Sequence, residues 1–293
     1  MKRLVFILFA TAMLAQSAFS QDYLLRYDPA PGGYTFKQLE ETTAMAQSND
    51  GRTMEINRKT TRYITTAVET VDDDGITYVS TQDTAIVEES TADPRIQRQN
   101  LVVQNILTGK PVRVRQSLTG VTLESTALVP LETRRVLGPS ASDAMFTPRA
   151  VILPVLPDRS LEVGSRWTEK HADTLRPTKS HPQYGTGNGI RYLQSSTEYE
   201  VAGLETVEDI ACIRLTWKGL AGMEEKVLYG NLEEYTEEQT RSSGEMLVEI
   251  ESGLPRRVDA YSDKEATRAL FGAQSSVIPS SISTHTVLEL ISH

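Results

Sequence analysis

The residues best equipped for nucleophilic, proton-transfer or metal chemistry are the one cysteine, Cys212, and four histidines, His171, His181, His285 and His293. A zinc site gathers such side chains at short fixed spacings so that four ligands can meet one ion. These histidines are scattered, and none stands at a ligand spacing from another or from Cys212. The chain also lacks a Gly-x-Ser-x-Gly elbow, a His-Glu-x-x-His helix and any Cys–His signature. Asp72-Asp73-Asp74-Gly75 invites a calcium reading, yet its flanks alternate with a period of two, which fits a hairpin loop and not the spaced ligands of a calcium loop. Glu233, Glu234, Glu237 and Glu238 would crowd one side of a helix, while their alternation with Leu232, Tyr235 and Thr236 also permits a strand. Paired carboxylates serve glycosidases and metals; solvation of a surface is the plainer use. The run Gly185-Thr186-Gly187-Asn188-Gly189 has no following Lys-Ser/Thr and no spaced dinucleotide pattern, so it reads as a mobile loop over 172–189 and not as a phosphate cradle. No catalytic residue, metal site or cofactor is therefore expected, and the chain leans away from being an enzyme.

Composition narrows the classes further. Lys2 and Arg3 lead into an apolar run Leu4–Leu14 and small residues at Ala18 and Ser20, the order of a secretory signal peptide over 1–20, cut before Gln21. The run is shorter than the roughly 20 residues that cross a bilayer. A lone cysteine forbids an internal disulfide, and the absence of Asn-x-Ser/Thr favours a periplasm over a eukaryotic secretory route, with the extracellular space as the second choice. The net charge of −9, or −11 once Lys2 and Arg3 are removed, argues against nucleic acid, which needs clustered Lys and Arg. No transmembrane segment is expected in the mature chain.

The elements that must position any site read as β throughout. Thr61–Asp73, TRYITTAVETVDD, recurs at Thr197–Asp209 as TEYEVAGLETVED, with six of thirteen positions identical at an offset of 136. The chain is accordingly expected to be mainly β: two tandem curved antiparallel sheets, half-barrel-like, with one or two short helices. The units fall at 21–137 and 158–293, joined by a Pro-rich linker at 138–157. Arg52–Val71 is a strand of about 20 residues, apolar at both ends of its even face and cationic at Arg58 and Arg62. Those arginines face either a cavity or an anionic partner, or solvent at a bulge. With the acidic run as loop, Val71 should face Ile76, Thr70 should face Thr77 and Val68 should face Val79. The segment 92–107 fits helix or strand, Leu220–Glu225 reads as a connector, and Lys264–Phe271, KEATRALF before Gly272, is the best helix candidate. Thr284–Ile291 reads as a strand central to the second sheet.

In the echoed hairpin the odd positions Leu193, Tyr199, Ile213, Leu215 and Trp217 are apolar and the even ones largely polar. One oily face of that kind covers a core or lines an apolar cleft, and these five residues are the candidate ligand-binding set. The stretch GEMLVEIESGLPRRVDAY, preceded by TEYEVAGLETVEDIACIRLTW, resembles the curved half-barrels of periplasmic lipoprotein carriers of the LolA/LolB type and related exported domains. That resemblance implies a concave sheet able to hold acyl chains, closed by a short helix. The expected function is that of an exported non-catalytic β-protein binding an apolar ligand or a protein segment in the cell envelope. The alternatives are a structural or assembly component of the envelope, and a hydrolase with a dispersed site.

Overall fold

The computed structural model describes residues 22–47, 51–90, 106–130, 154–181, 183–272 and 275–292. Among the described residues twelve strands are present: β1 (Gly32–Gln47), β2 (Thr53–Asp72), β3 (Gly75–Ser90), β4 (Val112–Gln116), β5 (Thr122–Ala127), β6 (Arg166–Leu175), β7 (Thr178–His181), β8 (Gly185–Val207), β9 (Ile210–Tyr229), β10 (Leu232–Glu249), β11 (Pro255–Phe271) and β12 (Ser276–Ser292). Instead of two tandem sheets they make one, running β5, β4, β3, β2, β1, β12, β11, β10, β9, β8, β6. The sheet is not closed. Its first and last long strands, β1 and β12, pair antiparallel from Thr35↔Ser292 to Ala46↔Ser280, so the division at 138–157 is not a division of the sheet. β6 and β7 lie end to end on one edge of β8, broken at Pro177, which lacks the backbone donor a ladder needs.

Three local expectations are corrected. Lys264–Phe271 is strand, because β10 and β12 flank it and saturate its backbone, which outweighs a run of good helix formers. Leu220–Glu225 is the middle of β9, and most of 172–189 is ladder, with Thr178–His181 pairing Gly185–Asn188. Of the segment 92–107, only 106–107 are described, and these are helical; residues 92–105, like the signal segment 1–20, lie outside the described residues. By contrast the long strand at 52–71 is β2, and Val71↔Ile76 and Thr70↔Thr77 pair as expected. Val68 meets Tyr78, not Val79, because a bulge at Glu69 takes one residue out of register.

The core sits at one end of the long strands. Tyr34 and Phe36 of β1, Ile64 and Val68 of β2, and Val112 and Val114 of β4 join Val201, Ile213, Leu215, Met246 and Val248 from β8, β9 and β10, towards the other end of the strand order, in one cluster. Strands so far apart in the order can share a core only if the sheet curls, and what it curls around is chain from outside it. Leu25 and Tyr27 before β1, and Leu156 and Leu161 before β6, are each no more than 1% exposed in that cluster. The Tyr27 hydroxyl donates to the Pro154 carbonyl at 2.8 Å, its amide donates to the Leu118 carbonyl at 2.9 Å, and the Asp28 amide donates to the Ser252 carbonyl at 2.9 Å. The turns of two hairpins, β4–β5 and β10–β11, thus grip this plug from opposite sides. Gly120 and Gly253, one in each turn, have φ of 93° and 69°, and a side chain on the first would enter the Tyr27 ring and on the second the Arg26 carbonyl.

The echo at offset 136 does not give equivalent places. Ile64 of β2 faces the core, which turns Tyr63 to the other side of the sheet; Tyr199 of β8 lies on the core side, opposite Trp167 and Trp217. The turns differ too: Asp73 and Asp74 form the first, whereas Glu208 and Asp209, both at positive φ, form the second. Identical residues therefore point oppositely in the two copies.

Candidate functional site

Beyond the core, the inner face of the sheet continues for several residues with no second layer upon it among the described residues. Its side chains fall into rows that follow the strand register. Bordering the core is an aromatic row: Trp167, Tyr199 and Trp217 are paired across β6, β8 and β9. The rings of Trp167 and Tyr199 stack at 5.1 Å with 14° between planes. The Trp167 indole donates to the Val155 carbonyl at 3.0 Å, which ties the row to the plug. Trp217 lies over its neighbour in register, Gly244, where a Cβ would stand only 2.5 Å from Cζ2 of the indole. Glycine there leaves the room that the ring occupies. All three aromatic residues are half-buried.

The next row outward is small and hydroxylic. Thr197, Gly219, Ser242, Ser262, Thr284 and Thr42 stand in register across β8, β9, β10, β11, β12 and β1. A Cβ on Gly219 would meet the Ser242 hydroxyl at 2.5 Å, so this part of the floor is shallow. Further along, inward charges are neutralised by cross-strand pairs: Arg62–Glu40 at 3.2 Å, Lys264–Glu238 at 2.5 Å and Arg268–Glu234 at 2.9 Å. Glu225, 2% exposed along its side chain, is held by Lys179 at 2.5 Å and Arg191 at 3.0 Å. Pairing offsets the cost of removing these charges from water. Arg58 and Arg62 do face inward as one reading of β2 allowed, but both are turned to Glu40 and make no free anion site.

The five candidate residues separate into three places. Ile213 and Leu215, at 0% and 1% exposure, are sealed in the core and cannot be reached by a ligand. Tyr199 and Trp217 belong to the aromatic row. Leu193 lines a groove of about 570 Å³ across β6, β8, β9 and β10, together with Met223, Tyr192, Asp173, Glu224 and Glu237. Sequence alternation found the face but could not mark where core ends and open floor begins. Trp167 and Gly244 were missed as partners because strand order, not spacing along the chain, brings them to Trp217.

The residues suited to chemistry stay apart. Cys212 is fully buried, and burial pushes its thiol above its ordinary pKa, which disfavours the reactive thiolate. His285 stacks on Tyr261 at 4.3 Å and meets Asp259 at 3.0 Å, with no Ser, Thr or Cys side chain hydrogen-bonded to it among the described residues. Glu234 and Glu238 point inward, and Glu233 and Glu237 outward, as strand alternation dictates. No group of three His, Cys, Asp or Glu among the described residues is arranged to hold a metal. A small apolar cavity of about 40 Å³ lies against the plug between Tyr27, Phe36, Val68 and Tyr78.

No protein-family model and no curated relative matches this chain. Among solved structures, the chain is similar to the hypothetical lipoprotein YmcC from Escherichia coli, at 12% identity over 83% of this chain and 85% of that one, with a TM-score of 0.21. It is also similar to the CymD monoaromatic hydrocarbon channel at 8% identity over 90% of each chain, with a TM-score of 0.24. Salmonella typhi OmpF in complex with daunomycin matches at 6% identity over 87% of this chain and 98% of that one, with a TM-score of 0.22. Likeness at these scores has no bearing on function. On β10 the outward residues are polar and exposed, Glu237, Gln239, Arg241, Ser243 and Glu245, while neighbouring strands place exposed Tyr192, Leu220, Leu228 and Tyr261 on the same face.

Proposed function

We propose that this chain is an exported, non-catalytic binding protein of the cell envelope that takes its ligand on the inner face of the curved sheet. The observation that carries this reading is the floor beyond the plugged core, where Tyr199 and Trp217 remain half-buried and no layer lies above them among the described residues. A packed β-protein normally covers the apolar side of a sheet. An uncovered aromatic row beside a fixed core is the form of a preorganised site. Export rests on the Lys2–Ser20 segment and its signal-peptide order. On this reading the bound molecule is carried, held or presented, as no nucleophile–base pair is assembled near the floor among the described residues.

A ligand that binds the native state alone raises its stability, by about 2.7 kcal/mol at a hundredfold excess over the dissociation constant. Aqueous and organic extracts of the cell envelope, tested separately against the purified mature protein, should include a fraction that raises the melting temperature. A molecule from that fraction should be retained in native mass spectrometry. Protein that purifies empty and responds to neither extract contradicts the reading.

A further inference from the structure

The chemistry of the floor narrows the ligand, given the binding role just proposed. We infer that it is a neutral oligosaccharide, seated with a sugar ring on the Trp217 indole and its hydroxyls over the Thr197–Ser242 row. Three features select this class. First, Trp217 pairs in register with Gly244, its six-membered ring reaches into the space a side chain there would fill, and the indole stays half-buried, so part of its π surface is open to the floor. A flat π surface attracts polarised C–H groups, and the axial C–H face of a pyranose offers a patch of them.

Second, the neighbouring register row is made of hydroxyls separated by glycine, and Glu169 stands beside Tyr199, 3.5 Å from its hydroxyl. The hydroxyls can both donate to and accept from a polyol, and the carboxylate can accept from it. An acyl chain laid across the same row would strip Thr197, Ser242, Ser262 and Thr284 of water and return nothing. Third, the inward cations among the described residues are each held by a carboxylate, Arg58 and Arg62 by Glu40, Lys179 and Arg191 by Glu225, Lys264 by Glu238 and Arg268 by Glu234, and the whole chain carries −9, so this floor is poorly suited to a polyanion. Aromatic face, hydroxyl row and neutralised charge together fit a neutral sugar chain better than a lipid or a nucleic acid.

The chain has only two tryptophans, Trp167 and Trp217, and both belong to the aromatic row, so intrinsic fluorescence reports on this site alone. The full mature protein is titrated with neutral hexasaccharides of glucose, galactose and N-acetylglucosamine, and separately with palmitate, by fluorescence and by calorimetry. At least one hexasaccharide should give a saturable emission change, with affinity weakened roughly tenfold or more in Trp217→Ala and largely kept in Trp217→Phe. Gly244→Val, which pushes the indole off its seat, should weaken it likewise while leaving the chain folded by circular dichroism. Should Trp217→Ala not fold, the wild-type emission and the Trp217→Phe affinity decide. Palmitate binding with an emission change and no response to any hexasaccharide overturns the carbohydrate assignment and leaves the inner-face reading standing. Hexasaccharide binding that leaves the emission unmoved overturns the seat on Trp217. No response to either class overturns the inference and, together with an empty native mass spectrum, the binding role as well.

Discussion

At the scale of single residues, the account is most exposed where a polar group is buried. Thr60 of β2 is fully buried and its hydroxyl has no hydrogen-bond partner among the described residues. An unmet buried hydroxyl costs about 1–3 kcal/mol, so Thr60→Val, which keeps the branched shape, should raise stability by about 1 kcal/mol in urea unfolding. Tyrosine ionisation supplies a second check. Burial pushes Tyr78 up to about 12, and burial followed by the Glu169 charge does the same for Tyr199. Because both are raised in the fold, they bind their protons more tightly there than in the unfolded chain, which ionises near pH 10. The stability this adds is complete below pH 10 and disappears as pH climbs through about 12. Unfolding midpoints should therefore hold up to pH 9 and fall between pH 10 and 12, and Tyr78→Phe should flatten the fall by up to about 2–3 kcal/mol. Little of this was legible in the sequence. Nothing in the composition of β2 distinguishes Thr60 from its exposed neighbours, and the aromatic row needs Trp167, Tyr199 and Trp217 to be brought together by strand order.

Elements were more legible, because alternation along a strand is a local property. The pattern in 52–71 showed an apolar, then cationic, then apolar face, and β2 has that face inward. The hairpin loop at 72–75 followed from its acidic and glycine chemistry. What failed was local preference against non-local partners: KEATRALF became strand because flanking strands claimed its backbone, and the glycine-rich run became ladder for the same reason. Gly187 illustrates the mechanism, since a Cβ there would run into the Tyr229 ring, and glycine leaves the room that ring occupies. The plug is the element on which the rest turns. Tyr27→Ala should cost about 3–5 kcal/mol, as for other large aromatic truncations, and Tyr27→Phe about 1–2 kcal/mol through the lost bond to the Pro154 carbonyl. Both are read by chemical unfolding. Equal, near-zero effects would remove the plug from the account.

For the whole molecule, the claim is that one core is shared by strands from both ends of the chain. The repeated sequence pointed to two self-sufficient units, yet its two copies present opposite faces, and β1 is paired to β12 along its length. Residues 21–137 and 158–293 made separately should therefore lack cooperative unfolding, because each exposes half of the cluster around Tyr27. Native-state hydrogen exchange followed residue by residue tests the shared core most directly. The amides flanking Phe36, Ile64, Val114, Leu215 and Val248 should be the slowest in the chain and should open together, at the free energy of global unfolding, whichever half they come from. Two groups of slow amides, one confined to each half and opening at different free energies, would contradict it.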